Sequence, residues 1–111
     1  MDIPYGRQSI GEDDINAVIK VLRSDWLTQG PTVVEFEKKL ATYCGVNYAV
    51  AFSSGTAALH AAYAAANITD GDEIITSPLT FAATTNAALW QGASVVFADI
   101  DEHTGNIDPV E

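Results

Sequence analysis

Three short apolar runs, separated by stretches with helical character, constrain the fold of this chain more than any other feature. They cover residues 48–52, 73–76 and 94–98, and turn-forming residues such as Gly71 and Gly92 lie between them. Runs this short that alternate with helices are typical of buried parallel strands joined by crossover connections. The pattern predicts an α/β fold whose mostly parallel sheet has flanking helices on both faces.

The helices that flank these strands can be located from local signals. Small residues after the first strand lead into an alanine-rich helix, predicted from Ala57 to about Ala66. A second helix is predicted from about Phe81 to Gln91, and a polar turn over residues 101–105 follows the last strand. A three-stranded parallel sheet with open edges is a poor place for a domain to end. We therefore expect these 111 residues to be part of a larger domain.

Two more helices are predicted before the first strand. Ser9 and Glu12 have the spacing of a capping box, so a helix is expected to begin there and to end near residues 23–25. Pro31 suits the first position of the next helix, and Gly45 suits its end. The apolar positions of both helices recur at helical spacing: Ile15, Val18, Ile19 and Leu22, then Val33, Phe36, Leu40 and Tyr43.

The charge balance excludes some classes of partner. Fifteen acidic residues against five basic ones give a formal charge of -10, which repels nucleic-acid phosphates and anionic lipid surfaces. The N-terminus has no signal-peptide pattern, and no apolar stretch approaches the length that spans a bilayer. We expect a soluble cytoplasmic protein that binds neither nucleic acid nor membrane.

The only cysteine, Cys44, excludes a disulfide framework or a cysteine-based metal cluster. It follows an apolar helical stripe, so we expect a buried, inert thiol. Three closely spaced carboxylates, Asp99, Asp101 and Glu102, could form a cation site, but a solvated strand end explains them better. No metal site is predicted.

The stretch Ser53-Ser54-Gly55-Thr56 joins a strand to a helix N-terminus with small and hydroxyl residues only. Free backbone N–H groups and the helix dipole favour an anion at such a place. Gly55 would permit close approach of a phosphate, and the Thr56 hydroxyl could donate a further hydrogen bond. An ordinary helix cap is an equally good interpretation of this stretch taken alone.

The loop Pro78-Leu79-Thr80-Phe81 follows the second strand and should emerge at the same edge of a parallel sheet. Phe81 could then stack on an aromatic ring whose phosphate is bound at Gly55 and Thr56. From the residues alone, a core phenylalanine at the start of a helix is the better-supported interpretation.

The two loops together carry a specific resemblance. Residues 53–59 and 77–84, in this order and with these flanking strands, resemble the DegT/DnrJ/EryC1/StrS sugar aminotransferases. Residues 3–5, 25–31 and 104–108 are more similar to one branch, the UDP-4-amino-4,6-dideoxy-N-acetyl-β-L-altrosamine transaminases of pseudaminic acid synthesis. The resemblance covers nearly the whole chain.

The resemblance implies the N-terminal part of a type I aminotransferase large domain, with N-terminal helices over residues 1–46 and the start of a cofactor-binding α/β sheet over 47–111. It further implies pyridoxal 5'-phosphate as cofactor, a homodimer, and transfer of an amino group from glutamate to a UDP-linked 4-keto-6-deoxy-N-acetylhexosamine. Gly55 and Thr56 would bind the cofactor phosphate and Phe81 its ring. The positions that would touch the sugar nucleotide are Tyr5, Asp25, Trp26, Leu27, Thr28 and Gly55.

The catalytic residues of such an enzyme are not found in this chain. The chemistry requires a lysine that bonds to the cofactor and moves a proton, together with an acidic partner for the pyridine nitrogen. Lys20, Lys38 and Lys39 belong to the first two helices and are predicted to be solvated. Neither His60 nor His103 has a convincing site for acid–base catalysis.

Two alternatives to the aminotransferase stay open at this stage. One is a sugar 3-dehydratase of the same fold, in which a histidine replaces the lysine. The other is a non-catalytic stub that at most binds phosphates or pairs with a partner chain. A stub would expose apolar faces and is expected to be unstable or to aggregate.

Overall fold

Two helices, α1 (Glu12–Leu22) and α2 (Pro31–Cys44), form the regular structure of the N-terminal unit, Met1–Ala51, in the computed structural model. The structure describes residues 6–111, so the expected substrate contact of Tyr5 lies outside the described residues. The remainder of the chain, Phe52–Glu111, forms a second compact unit.

The start of α1 differs from the sequence prediction. Gly11, and not Ser9, is the N-cap residue, so the helix begins two residues after the predicted cap would place it. The N–H of Gly11 donates to Asp14 Oδ2 at 2.8 Å, which is the backward half of a capping box. The carboxylate of Asp14 therefore fixes the helix start, and the acidic first turn suits the helix dipole.

Helix α2 begins and ends as its local signals predict. Pro31 is its first residue, and Gly45 ends it with a left-handed φ of 67° that favours glycine. Lys39 Nζ lies 2.7 Å from Glu35 Oε1, and this hydrogen bond and charge lower the pKa of the Glu35 carboxyl. The expectation for Cys44 is wrong, because its side chain is exposed.

The predicted strand over residues 48–52 does not form within the described chain. No backbone group of this segment joins a ladder with another described strand. The N–H of Ala51 instead donates to Glu37 Oε1 at 2.8 Å. An apolar run indicates that its residues tend to be buried. A strand also requires hydrogen bonds to the backbone of a neighbouring strand.

The second unit contains α3 (Gly55–Ala65), β1 (Glu73–Thr76), α4 (Ala83–Leu89) and β2 (Ser94–Phe97). The two strands are parallel, with Ile74 paired to Val95, and α4 connects them. This βαβ arrangement confirms the predicted α/β fold with a parallel sheet and flanking helices. Five ends, in three elements, differ from the prediction: α3 begins and ends earlier than predicted, α4 is shorter at both ends, and β2 stops before Ala98.

The core of the second unit consists of alanines. Ala83, Ala87 and Ala88 of α4 are buried, and Ala93 and Ala98 at the ends of β2 join them. Helix α4 contacts both strands and α3. These small side chains allow the helix to lie close to its neighbours, but they bury little apolar area.

One face of the sheet is uncovered. Side chains alternate between the faces of a strand, so Ile75 and Val96 lie opposite the half-buried Ile74 and Val95. Ile75 is 67% exposed and Val96 is 41% exposed. The expectation of a sheet covered on both faces is therefore wrong for the described residues.

Residues 99–108 form a small hairpin after β2. Ile100 and Ile107 make an antiparallel bridge, and the Asp101 N–H donates to the Asn106 carbonyl at 2.9 Å. Across residues 6–111, no helix is long and apolar enough to cross a membrane.

Candidate functional site

The N-terminus of α3 presents free backbone donors. Ser54 caps the helix: its Oγ accepts from the Ala57 N–H at 3.2 Å, and its carbonyl accepts from the Ala58 N–H at 3.1 Å. Within the described chain, no acceptor takes the N–H of Gly55 or Thr56. Two donors at the positive end of an 11-residue helix are suited to bind an anion.

The space beside these donors is open. A Cβ added to Gly55 would meet no atom within 4 Å, so a ligand can approach the backbone there without displacing protein. Thr56 is half-buried in the first turn of the helix. Backbone N–H donors beside a hydroxyl at a helix N-terminus are the groups that commonly bind phosphates.

Phe81 lies just before α4 with 77% of its surface exposed. The interpretation of Phe81 as a core residue is therefore wrong for the described residues. Its loop is nonetheless ordered by local contacts, because the Leu79 N–H donates to Ser77 Oγ at 3.0 Å. An exposed aromatic ring on an ordered loop is available to stack on a ligand.

Thr84, in the first turn of α4, connects this loop to α3. The Thr84 N–H donates to the Phe81 carbonyl at 3.0 Å, and the hydroxyls of Thr80 and Thr84 are 3.0 Å apart. From α3, the Tyr63 hydroxyl donates to the Thr84 carbonyl at 3.3 Å. These contacts were not predicted from the sequence, although the four-residue spacing of Thr80 and Thr84 at a helix start indicates one of them.

A depression of about 330 Å³ lies at the carboxyl end of β1, between the Phe81 loop and the hairpin. Hydroxyl and amide groups from both segments line it, together with apolar side chains: Ile75, Thr76, Ser77, Leu79, Thr80, Gly105, Asn106 and Ile107. Asp101 Oδ1 accepts from the N–H groups of Thr104, at 2.8 Å, and His103. Hydrogen bonds from Thr104, its N–H first, lower the pKa of the Asp101 carboxyl.

The segment Asp25–Thr28 belongs to the N-terminal unit, whereas Gly55, Thr56 and Phe81 belong to the second. Trp26 and Leu27 are exposed to 62% and 64%. The Ser24 hydroxyl donates to the Val21 carbonyl at 2.7 Å and accepts from the Trp26 N–H at 3.3 Å, and these bonds shape the turn. Trp26 also borders a groove of about 460 Å³ between α1 and α2, lined by residues that include Val21, Phe36, Lys20 and Lys39.

Gly30 lies very close to Trp26 in this turn. A Cβ at Gly30 would lie 2.7 Å from Trp26 Cβ, a distance that real side chains do not adopt. The preceding residue, Gln29, has a left-handed φ of 48°. Residues 24–30 therefore form a tightly defined turn that presents the Trp26 and Leu27 side chains.

The remaining candidates take no part in a site. Lys20, Lys38 and Lys39 are exposed on α1 and α2. His60 packs edge-on against Trp90, with ring centroids 5.3 Å apart. His103 lies exposed, 3.6 Å from Glu102. In the described part of the chain, no group of histidine, cysteine and carboxylate side chains could hold a metal ion.

The second unit is thus an α/β domain with free backbone donors at the N-terminus of one helix and an exposed aromatic ring just before another. Residues 8–111 match the DegT/DnrJ/EryC1/StrS aminotransferase family. The chain belongs to this family.

Two curated relatives are similar over almost the whole chain. The spore coat polysaccharide biosynthesis protein SpsC of Bacillus subtilis is 51% identical over 98% of this chain. The UDP-4-amino-4,6-dideoxy-N-acetyl-β-L-altrosamine transaminase of Campylobacter jejuni is 49% identical over 96% of it. In each case the chain spans 28% of the relative's length.

Solved structures agree with the fold. Helicobacter pylori PseC, an aminotransferase involved in the biosynthesis of pseudoaminic acid, superposes with a TM-score of 0.88 at 39% identity, over 97% of this chain and 29% of PseC. Spr1654 of Streptococcus pneumoniae, solved in its PLP form, gives a TM-score of 0.87 at 33% identity, over 97% of this chain and 28% of that protein. The predicted fold class, part of the large domain of a pyridoxal-phosphate aminotransferase, is thereby confirmed.

Proposed function

We propose that this chain supplies the phosphate- and ring-binding part of a pyridoxal-5'-phosphate-dependent aminotransferase. The free N–H groups of Gly55 and Thr56 carry this proposal, because they offer a dianionic phosphate two donors at a helix N-terminus. The open space at Gly55 and the exposure of Phe81 fit the same ligand. The PLP form of the Streptococcus pneumoniae relative supports this choice of cofactor.

Each residue would contribute binding or orientation. Gly55 and Thr56 would bind the phosphate through backbone N–H groups, and the Thr56 hydroxyl would add a donor. Phe81 would lie against the pyridine ring and exclude water from that face. The cofactor, when bound, supplies the electron sink for amino transfer.

The proton-transferring lysine would come from outside residues 1–111. All three lysines of this chain lie on α1 and α2, exposed, and Lys39 is paired with Glu35. On this proposal residues 1–46 form the N-terminal helices of the enzyme, and residues 47–111 begin its cofactor-binding sheet. No residue of this chain is assigned a catalytic role.

We further propose glutamate as amino donor and a UDP-linked 4-keto-6-deoxy-N-acetylhexosamine as acceptor, in the synthesis of pseudaminic acid or a related sugar. The names of the Campylobacter jejuni and Helicobacter pylori relatives support this substrate class. Tyr5 and Asp25–Thr28 would contact the sugar nucleotide, with Gly55 near both ligands. Trp26 and Leu27 are exposed on a well-defined turn, as such contacts require.

A cytoplasmic homodimer completes the proposal. Large apolar side chains are exposed in both units, among them Val33, Phe36, Ile75 and Phe97. Apolar surface of this extent is typical of faces that another subunit or further chain covers.

The first experiment measures the intact mass of the native polypeptide and then its reaction with glutamate. Native protein loaded with pyridoxal phosphate should convert to the pyridoxamine form on addition of glutamate, and a UDP-linked 4-keto sugar should reverse the absorption change. A cofactor spectrum that glutamate leaves unchanged would refute amino transfer. A deoxygenated sugar product would instead identify the 3-dehydratase, and a native mass of 11.8 kDa would identify the stub.

A further inference from the structure

Phe81 cannot fix the direction of its own ring by packing. With 77% of its surface exposed, the side chain has few protein neighbours. Its direction therefore depends on the backbone of residues 80–82. A ring that must meet a planar ligand needs that backbone to be held.

Thr84 holds this backbone at two points. Its N–H donates to the Phe81 carbonyl at 3.0 Å, and its hydroxyl lies 3.0 Å from that of Thr80. One contact thus reaches Phe81 itself and the other reaches the residue before it. Thr84 itself is half-buried, whereas the contact between the two hydroxyls is exposed.

Thr84 is held in turn from α3. The hydroxyl of Tyr63 donates to the Thr84 carbonyl at 3.3 Å, across 21 residues of sequence. The same helix carries the free N–H groups of Gly55 and Thr56 at its other end. One set of hydrogen bonds therefore links the helix with the phosphate donors to the loop with the aromatic ring.

We propose that Thr84, held by Tyr63, is a positioning residue that fixes the direction of the Phe81 ring relative to α3. This inference rests on the proposed cofactor site. It assigns to Thr84 and Tyr63 an effect on ring binding and none on phosphate binding.

The test uses the native protein freed of its cofactor and two probes. Pyridoxamine 5'-phosphate has an amine in place of the aldehyde, so no lysine can bond to it and its affinity reports non-covalent contacts alone. Inorganic phosphate, measured as a competitor, reports the helix N-terminus without a ring. Stacking contributes on the order of 1 kcal/mol, so its complete loss corresponds to about fivefold weaker binding.

Thr84→Val should weaken pyridoxamine phosphate up to about fivefold and leave inorganic phosphate unchanged. Tyr63→Phe should act in the same direction. Thr42→Val is the matched control, because the Thr42 hydroxyl donates to the Lys38 carbonyl within α2, at 2.9 Å, and belongs to the other unit. It should leave the binding of both probes unchanged.

A double-mutant cycle separates positioning from general loosening of the structure. In a Phe81→Leu background, which has no aromatic ring, Thr84→Val should have no further effect on pyridoxamine phosphate. An effect that persists there, or equal weakening of both probes, would overturn the positioning role. So would a Thr84→Val variant that behaves like Thr42→Val. If the unmodified protein binds no pyridoxamine phosphate, the proposed function itself fails.

Discussion

Gly55→Ala separates the stability of α3 from its capacity to bind a phosphate. The added Cβ meets no atom within 4 Å, so the structure predicts no clash. Alanine is also the better helix former, by up to about 1 kcal/mol in a helix interior and less at the first position. The free energy of unfolding should therefore stay unchanged or rise slightly.

Gly55→Ala should weaken phosphate binding, although it does not lower stability. The methyl group would occupy the space through which a phosphate reaches the Gly55 N–H, and a hydrogen bond to a charged group contributes about 1.5–3 kcal/mol. Loss of that contact corresponds to an increase in Kd of about tenfold to a hundredfold. Titration with pyridoxamine 5'-phosphate measures this increase, and thermal unfolding of the same samples measures stability.

Gly11→Ala is the control for this experiment. Gly11 also lies at a helix N-terminus, and its added Cβ would meet only Asp14 Oδ2, at 3.8 Å. It should leave the binding unchanged. A Gly55→Ala protein that folds normally and binds pyridoxamine phosphate within twofold of the unmodified protein would refute the argument from open space.

Three further predictions concern the turn, the hairpin and the apolar surface. Gly30→Ala forces a Cβ to within 2.7 Å of Trp26 Cβ and should lower the unfolding free energy of the native protein by about 1–3 kcal/mol. Gly6→Ala, with no atom in range, should not change it, and equal urea midpoints for the two variants would contradict the clash. Because hydrogen bonds from Thr104 lower the folded pKa of Asp101, their contribution to stability is present above about pH 3.9 and is lost as the pH falls through the lowered value. An NMR titration should show the Asp101 carboxyl protonating below the ordinary aspartate value, and a midpoint at or above it would exclude the effect. Residues 1–111 expressed alone should self-associate, as seen by sedimentation at rising concentration, because large apolar side chains are exposed in both units; a sharp, reversible and concentration-independent unfolding transition would speak against this.

Local signals predicted most element positions in this fold. Pro31 and Gly45 set the ends of α2 through steric rules that act within one or two residues. Strand β1 was placed correctly between turn residues. The predicted strand 48–52 was wrong because pairing depends on a distant backbone, and the Glu37 carboxylate that accepts from Ala51 could not be read from the apolar pattern.

The same difference between local signals and long-range contacts applies to the candidate site. The free N–H groups of Gly55 and Thr56 follow from a helix N-terminus with small residues, so the sequence could predict them. The contact between Tyr63 and Thr84 spans 21 residues and depends on how α3 meets α4. The exposure of Phe81 and Cys44 was not predicted either. An apolar pattern shows which side chains tend to be buried, but it does not show whether other described residues pack against them.

The alanine core has a mechanical consequence for the Phe81 loop. Ala83, Ala87 and Ala88 have no rotatable side chains that could absorb a shift between α4 and the strands. We therefore expect α4 and the sheet to move as one rigid body, with the loop at its end following the same motion.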